Sequence, residues 1–270
     1  MNIDRLAAIL KQAAKQEIMP RFRRLDEGMI QTKTGAFDLV TEADTNAERV
    51  ITAAILDHTP NTLVIGEEAV SANPALLDSA LEDRIAIYVD PVDGTANFAG
   101  GLPLFAVMAA VVQNGEPVAG VIYDPLGDDF VMAERGCGAW QVFPDGRTIR
   151  QKFADPVPLA EMGGLASTAF FAPEQRRDVL SNLAKVKMFA SYRCAGHEYR
   201  LAAGGNVHFL MYGRLMPWDH VGGALIIKEA GAHVAKLDGT PYRPGDRDGG
   251  LLVAPSQESW EELRREVFAV

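Results

Sequence analysis

Residues 85–95 read Ile85-Ala86-Ile87-Tyr88-Val89-Asp90-Pro91-Val92-Asp93-Gly94-Thr95. The apolar run predicts a buried strand, and it delivers carboxylates at its C-terminal end with no Lys or Arg to neutralise them. Leaving Asp90 and Asp93 together there is costly without a cation or protonation. Pro91 fixes a backbone angle, and Gly94 permits a close approach that a side chain would hinder. Thr95 adds a hydroxyl at the start of a helix, where backbone N–H groups receive anions such as phosphate. Alone, the segment also reads as an Asp-Pro and Asp-Gly turn. An EF-hand loop is excluded, because the alternating acidic positions and the closing Glu are missing.

Upstream, Leu63-Val64-Ile65 predicts a second strand, ending in Gly66-Glu67-Glu68. Asp38-Leu39-Val40-Thr41-Glu42-Ala43-Asp44 precedes a helix from about Thr45 to Leu56, with Asp44 at its beginning, and Lys33 before it is read as an exposed lysine on a loop. Ile3 to Phe22 carries apolar residues at helical spacing and predicts a surface helix. Downstream, strand signals at 107–112, 118–123 and 130–133, separated by Asn114-Gly115 and by Pro125 to Asp129, predict an antiparallel meander. After 155–158 helices and strands alternate: helix 173–185, strand 188–190, helix 198–203, strand 208–211, helix 220–230 and strand 251–254, then a helix from Ser256. Gly231 suits a left-handed helix stop, and Asp238-Gly239 marks a hairpin. Trp218-Asp219 stands before the helix containing Gly222, Gly223 and Ala224. The change of pattern divides the chain into 1–154, an α+β region with the antiparallel sheet and most of the acidic segments, and 155–270, an α/β region contributing Asp219.

The 270 residues are 48% apolar, enough to bury a core without metals or disulfides. Cys137 and Cys194 form no CxxC pair, which excludes a zinc ribbon and predicts two reduced thiols. A formal charge of −10 argues against a nucleic-acid footprint. The charged, amphipathic beginning lacks the features of a signal peptide, and no apolar run approaches the roughly 18 residues of a membrane helix. The expectation is a soluble, cytoplasmic protein that binds neither membrane nor nucleic acid.

Each acidic segment has a bland alternative: Glu67 and Glu68 as solvated charges, Asp44 and Asp219 as N-caps. Together, the four segments and their order resemble the inositol monophosphatase family, most specifically at Asp90 to Thr95 and Trp218 to Ile226. The resemblance implies an α+β fold, the layered α-β-α-β-α sandwich shared by inositol monophosphatases and fructose-1,6-bisphosphatases. It implies two to three Mg²⁺ ions per subunit: Glu67, Asp90 and the Val92 carbonyl at the first site, Asp90, Asp93 and Asp219 at the second, and Glu67 again at a third, weaker one. Oxygen-only ligands suit such a hard cation.

The implied activity is hydrolysis of a small phosphate ester by metal-activated water, without a phosphoenzyme. Asp44 and Thr95 resemble the pair that positions and deprotonates that water, with Glu67 as a further orienter or base. Asp93, Gly94 and Thr95 resemble substrate contacts. The resemblance also implies a homodimer and inhibition by Li⁺. Inositol-specific members carry a Glu six residues before the Trp-Asp pair, where this chain has Tyr212, and Arg193 to Arg200 departs from the usual small residues. Histidinol phosphate, a sugar mono- or bisphosphate and a 3′-phosphonucleotide therefore stand beside inositol phosphate. His220 is read as a helix-start or core residue, and His197 as either substrate-facing or merely satisfied at the surface. Two further readings are a regulatory binding protein of transcription or RNA processing and a metal-binding module without turnover.

Overall fold

The computed structural model describes residues 1–26, 28, 30–35, 38–79 and 85–269, without the side chains of 33–35, 38 and 79. In chain order the elements are α1 (Ile3–Ala13), β1 (Ile30–Gly35), β2 (Asp38–Thr41), α2 (Glu42–His58), β3 (Leu63–Gly66), α3 (Glu67–Ala72), α4 (Leu76–Ser79), β4 (Ile85–Asp93) and α5 (Thr95–Ala99). There follow β5 (Ala106–Gln113), β6 (Glu116–Asp124), β7 (Asp129–Glu134), β8 (Gly138–Val142), β9 (Thr148–Arg150) and β10 (Gly163–Ser167). The chain closes with α6 (Pro173–Asn182), β11 (Met188–Ala190), α7 (Ala195–Ala203), β12 (Phe209–Tyr212), α8 (Pro217–Glu229), β13 (His233–Lys236), β14 (Leu251–Ala254) and α9 (Gln257–Glu266).

The described residues form three sheets. A seven-stranded sheet runs β3 to β9 in sequence order, with β3 parallel to β4 and every later pair antiparallel. A five-stranded sheet has the order β11-β10-β12-β14-β13, and β1 pairs with β2. Period-2 alternation sorts the faces of the large sheet. Val107, Ala109 and Val111 of β5 pack with α1 and α2, whereas Ala106 and Met108 face Tyr199 of α7 and Ile226 of α8. In β14, Leu251 and Val253 join that same inner core, while Leu252 and Ala254 meet Trp260 and Leu263 of α9. The layers are therefore α1/α2, large sheet, α7/α8, small sheet, α6/α9, the expected α-β-α-β-α sandwich. No described helix is long and apolar enough to cross a membrane.

The middle layer explains the glycine pair. A Cβ on Gly120 of β6 would sit 2.6 Å from the Gly222 carbonyl oxygen, and one on Gly223 would sit 2.1 Å from the Tyr199 ring. Only bare backbone lets α8 lie this close to both β6 and α7.

Several expectations shift locally. The first helix turns π-helical at Ala14–Ile18. The segment around Lys33, expected as a loop, is strand β1, and Asp38–Thr41 pairs with it antiparallel as β2. Helix α2 starts at Glu42, three residues earlier than expected, because Thr41 caps it; Asp44 is not the N-cap but the reciprocating third residue. Asp219 likewise lies inside the first turn of α8, not before it, since Met216 is the cap and Pro217 the first helical residue. Asp238-Gly239 does turn the chain, with Gly239 N donating to Lys236 O at 2.8 Å, yet β13 pairs with the later β14. Strands β8 and β9 extend the meander beyond its expected end.

Candidate active site

Strand β4 runs through Asp93, and its pairing with β5 is regular to Asp90 and irregular between Asp90 and Asp93. Both carboxylates are buried at this strand end. One oxygen each from Asp90, Asp93 and Asp219 lie within 4.8 Å of one another. Asp90 is the extreme case. Burial pushes its pKa well above the ordinary value, and the charges of Glu67, Asp93 and Asp219 push it further. Its Oδ1 accepts one hydrogen bond in compensation, from Val92 N at 3.0 Å. Glu67, the first residue of α3, is half-buried and close enough to Asp90 to act on it electrostatically.

Asp93 is held differently. Its Oδ1 accepts from Ala195 N at 3.1 Å; its Oδ2 accepts from Gly196 N at 2.5 Å and from the Cys194 thiol at 3.0 Å. Burial raises its pKa, and these three donors together with the nearby His197 pull it back down. The donors need a close approach: a Cβ on Gly196 would meet Ala106 at 2.7 Å and Asp93 Oδ2 at 3.0 Å. Gly94 stands at φ +85°, with Leu104 O only 2.8 Å from where a Cβ would be.

Asp44 completes the cluster from α2. Its Oδ2 accepts from Thr41 N at 2.9 Å and Thr41 Oγ1 at 2.5 Å; its Oδ1 accepts from Thr95 Oγ1 at 3.0 Å. Burial lifts its pKa to about 6 against the pull of the Thr41 bonds. Thr95 Oγ1 also lies 2.9 Å from the Val92 carbonyl oxygen. The geometry thus gathers Asp90, Asp93 and Asp219 into one oxygen-rich cluster, adjoined by Glu67, and links Asp44 to Thr95 by a hydrogen bond.

The histidines do not join the acidic cluster. Nε2 of His220 is 3.0 Å from the Arg214 carbonyl and Nδ1 is 3.1 Å from the Tyr199 hydroxyl. A carbonyl only accepts, so Nε2 carries a proton; burial, which lowers the pKa to about 4, leaves Nδ1 unprotonated near neutral pH, where it accepts from the Tyr199 hydroxyl. This matches the core role. His197 Nε2 lies 3.1 Å from the Phe105 carbonyl. Tyr212 is buried between Tyr199 and His220, and its hydroxyl has no well-formed hydrogen bond among the described residues, although it lies close enough to Glu198 to act on it. Sequence reasoning missed Cys194 as a donor to Asp93, and Glu198, a buried carboxylate accepting from Tyr192 N at 2.7 Å and lifted by burial to about 7. It also missed Glu48, buried in the same helix as Asp44. Of the cysteines, Cys194 is buried, Cys137 is exposed, and neither is in a disulfide.

Comparison with known proteins finds relatives along nearly the whole chain. The model of the inositol monophosphatase family matches residues 2–268. A Thermotoga maritima fructose-1,6-bisphosphatase/inositol-1-monophosphatase is 32% identical over 240 residues, covering 88% of this chain and 86% of that protein. The Nus factor SuhB of Vibrio cholerae serotype O1 is 30% identical over 235 residues, covering 83% and 80%. A solved Thermotoga maritima IMPase superposes with a TM-score of 0.82 at 26% identity, over 99% of this chain and 96% of that one. On the strength of the full-length match, the chain belongs to the inositol monophosphatase family and is a phosphatase.

Proposed function

We propose that this phosphatase is a Mg²⁺-dependent phosphomonoesterase that hydrolyses a small soluble ester of the inositol-phosphate kind, with water as the nucleophile. The observation that carries the reading is the convergence of Asp90, Asp93 and Asp219 within 4.8 Å, beside the 3.0 Å bond from Thr95 to Asp44. The donor set fits a hard cation, since every donor is an oxygen and the repulsion borne by Asp90 is what a cation would relieve. Glu67, Asp90 and the Val92 carbonyl would hold one ion; Asp90, Asp93 and Asp219 would hold a second; Glu67 would also serve a third, weaker site. When bound, these ions neutralise the phosphate and make water more acidic.

The remaining work falls to the chain. The Thr95 hydroxyl has one proton and two acceptors in reach, Asp44 Oδ1 at 3.0 Å and Val92 O at 2.9 Å. Donating to Asp44 leaves its lone pairs free to orient an attacking water and to take that water's proton as its own passes to Asp44. A carboxyl raised to about 6 is ionised near neutral pH and more basic than an ordinary one, as a general base should be. Glu67 serves as a further orienter or base for the water. Asp93 and the backbone N–H groups of Gly94 and Thr95 bind the substrate, the latter two at its phosphate oxygens.

Tyr212 replaces a polyol-binding carboxylate with an aromatic ring, so histidinol phosphate, a sugar mono- or bisphosphate and a 3′-phosphonucleotide remain alternatives within the same chemistry. The reading includes a cytoplasmic homodimer inhibited by Li⁺ and a division into regions 1–154 and 155–270; light scattering and limited proteolysis near residue 155 test the assembly and the division. Phosphate release from a panel of these esters, each with Mg²⁺, with EDTA and with Li⁺, tests the reaction. A Mg²⁺-dependent signal on one ester supports it, and silence across the panel overturns it. A second reading, a regulatory binding protein of transcription or RNA processing, draws on the Nus factor relative; a partner captured equally by the wild type and Asp93→Asn would support that role.

A further inference from the structure

Glu48 lies one helical turn beyond Asp44, so α2 presents both carboxylates along one face. Its head group is spent on backbone. Oε2 accepts from Glu68 N at 2.7 Å and Oε1 from Ala69 N at 2.8 Å, the two amides that directly follow Glu67. The side chain is buried, with the residue 6% exposed. On the other flank of Glu67, Gly66 leaves room for this carboxylate: a Cβ there would fall 2.1 Å from Glu48 Cδ. Residues 66, 68 and 69 are thus all fitted around Glu48, and Glu67 is the residue between them.

We propose that Glu48 is a positioning residue for Glu67: it fixes the backbone on both sides of Glu67 so that the carboxylate of Glu67 is aimed at the buried Asp90. The inference rests on the functional reading above, in which Glu67 is a cation ligand. Two charge-assisted bonds to consecutive amides set the local backbone torsions, and the torsions set where the Glu67 side chain starts. Because Asp44 and Glu48 share one rigid helix, the group that receives the proton and the group that aims a ligand keep a fixed separation. Partners that orient a ligand in this way typically matter about 10–100-fold in metal affinity when removed.

The test compares Glu48→Gln and Gly66→Ala with the wild type, all prepared metal-free. Glu48→Gln keeps the shape but turns one acceptor into an NH₂ group facing an N–H; Gly66→Ala displaces the carboxylate sterically and leaves its charge intact. Mg²⁺ affinity is read by titration calorimetry, and amide exchange at Glu68 and Ala69 reports whether the local bonds have opened. The expected result is faster exchange at those two amides, protection elsewhere retained, and an affinity at least about tenfold weaker in both variants. The half-saturating Mg²⁺ concentration for phosphate release should rise more than kcat falls. Faster exchange with Mg²⁺ affinity within twofold of the wild type would reduce Glu48 to a local structural brace and overturn the proposal. A wild type that takes up no Mg²⁺ would instead remove the functional reading on which it rests.

Discussion

The end of β4 and the first turn of α7 face each other across the site with opposite chemistry. The strand end contributes charge: Asp90 is surrounded by Glu67, Asp93 and Asp219, and every one of them raises its pKa. The helix contributes donors: Cys194, Ala195 and Gly196 give Asp93 three hydrogen bonds that lower its pKa against burial. Two aspartates three residues apart are therefore stabilised by different means. Asp93 is largely satisfied by the protein itself, whereas Asp90 is left for a cation or a proton.

The sharpest way to break this comparison is to remove a carboxylate from the charged side. Asp219→Asn should lower turnover about 10³-fold, the scale of losing a preorganised charge-stabilising group. In metal-free protein the same change should raise the unfolding midpoint, because Asp90 loses a like-charged neighbour. Full activity in Asp219→Asn would separate the cluster from the reaction. Thr95→Ala should follow at about 10²-fold in kcat, within the range for a lost proton path, with KM little changed. An equal loss in KM would instead make Thr95 a binding group.

How much of this was legible depends on sequence distance. Asp90, Asp93, Gly94 and Thr95 are contiguous with an apolar run, so strand, carboxylates and turn could be read in one window. Asp44 and Asp219 were legible as site acids through the resemblance, but the helices that carry them were started too late, so both were set at or before a helix start and not inside the first turn. A capping box with Asp in its third helical position was not anticipated at Thr41, and Pro217 moved the start of α8 back. The donors to Asp93 were invisible because they lie 101 to 103 residues away and two of them are backbone amides, which carry no residue signature. Glu48 was hidden for a similar reason: both of its partners are amides, one 20 and one 21 residues distant. The five-layer arrangement came from the family resemblance and not from periodicity; in the structure β5 and β14 carry buried apolar residues on both faces, as a layer on each side demands.

The donor side can be sharpened through pH. Burial raises Glu198, which holds the turn at Tyr192, from 4.5 to about 7. Between those values the folded protein carries a proton that the unfolded chain has lost, so this group's contribution is fully present below about pH 4.5 and is lost as pH rises to about 7. The loss is on the order of 3 kcal/mol. Urea unfolding of the metal-free protein at pH 4.5 and 7.5 should show this dependence weakened in Glu198→Gln, whose amide oxygen can still accept from Tyr192. An unchanged slope would mean that Glu198 does not titrate in that window.

The smallest effect lies at Cys194, where the comparison is most finely balanced. Burial and the charge of Asp93 push the thiol pKa well up, so the group stays protonated and acts as a donor to Asp93 Oδ2 at 3.0 Å. Cys194→Ala removes one of three donors and should cost about 1 kcal/mol of stability at neutral pH, since a thiol donates weakly. Its second signature is electrostatic. With fewer donors the Asp93 carboxylate is held less firmly against protonation, so the acid limb of the Mg²⁺-binding pH profile should move upward. Cys194→Ser restores a donor of similar size and should return the limb towards the wild type. If Ala and Ser behave alike, the thiol acts by filling space beside Gly94, whose added Cβ would lie 3.0 Å from Cys194 Cβ, and the two backbone amides alone hold Asp93.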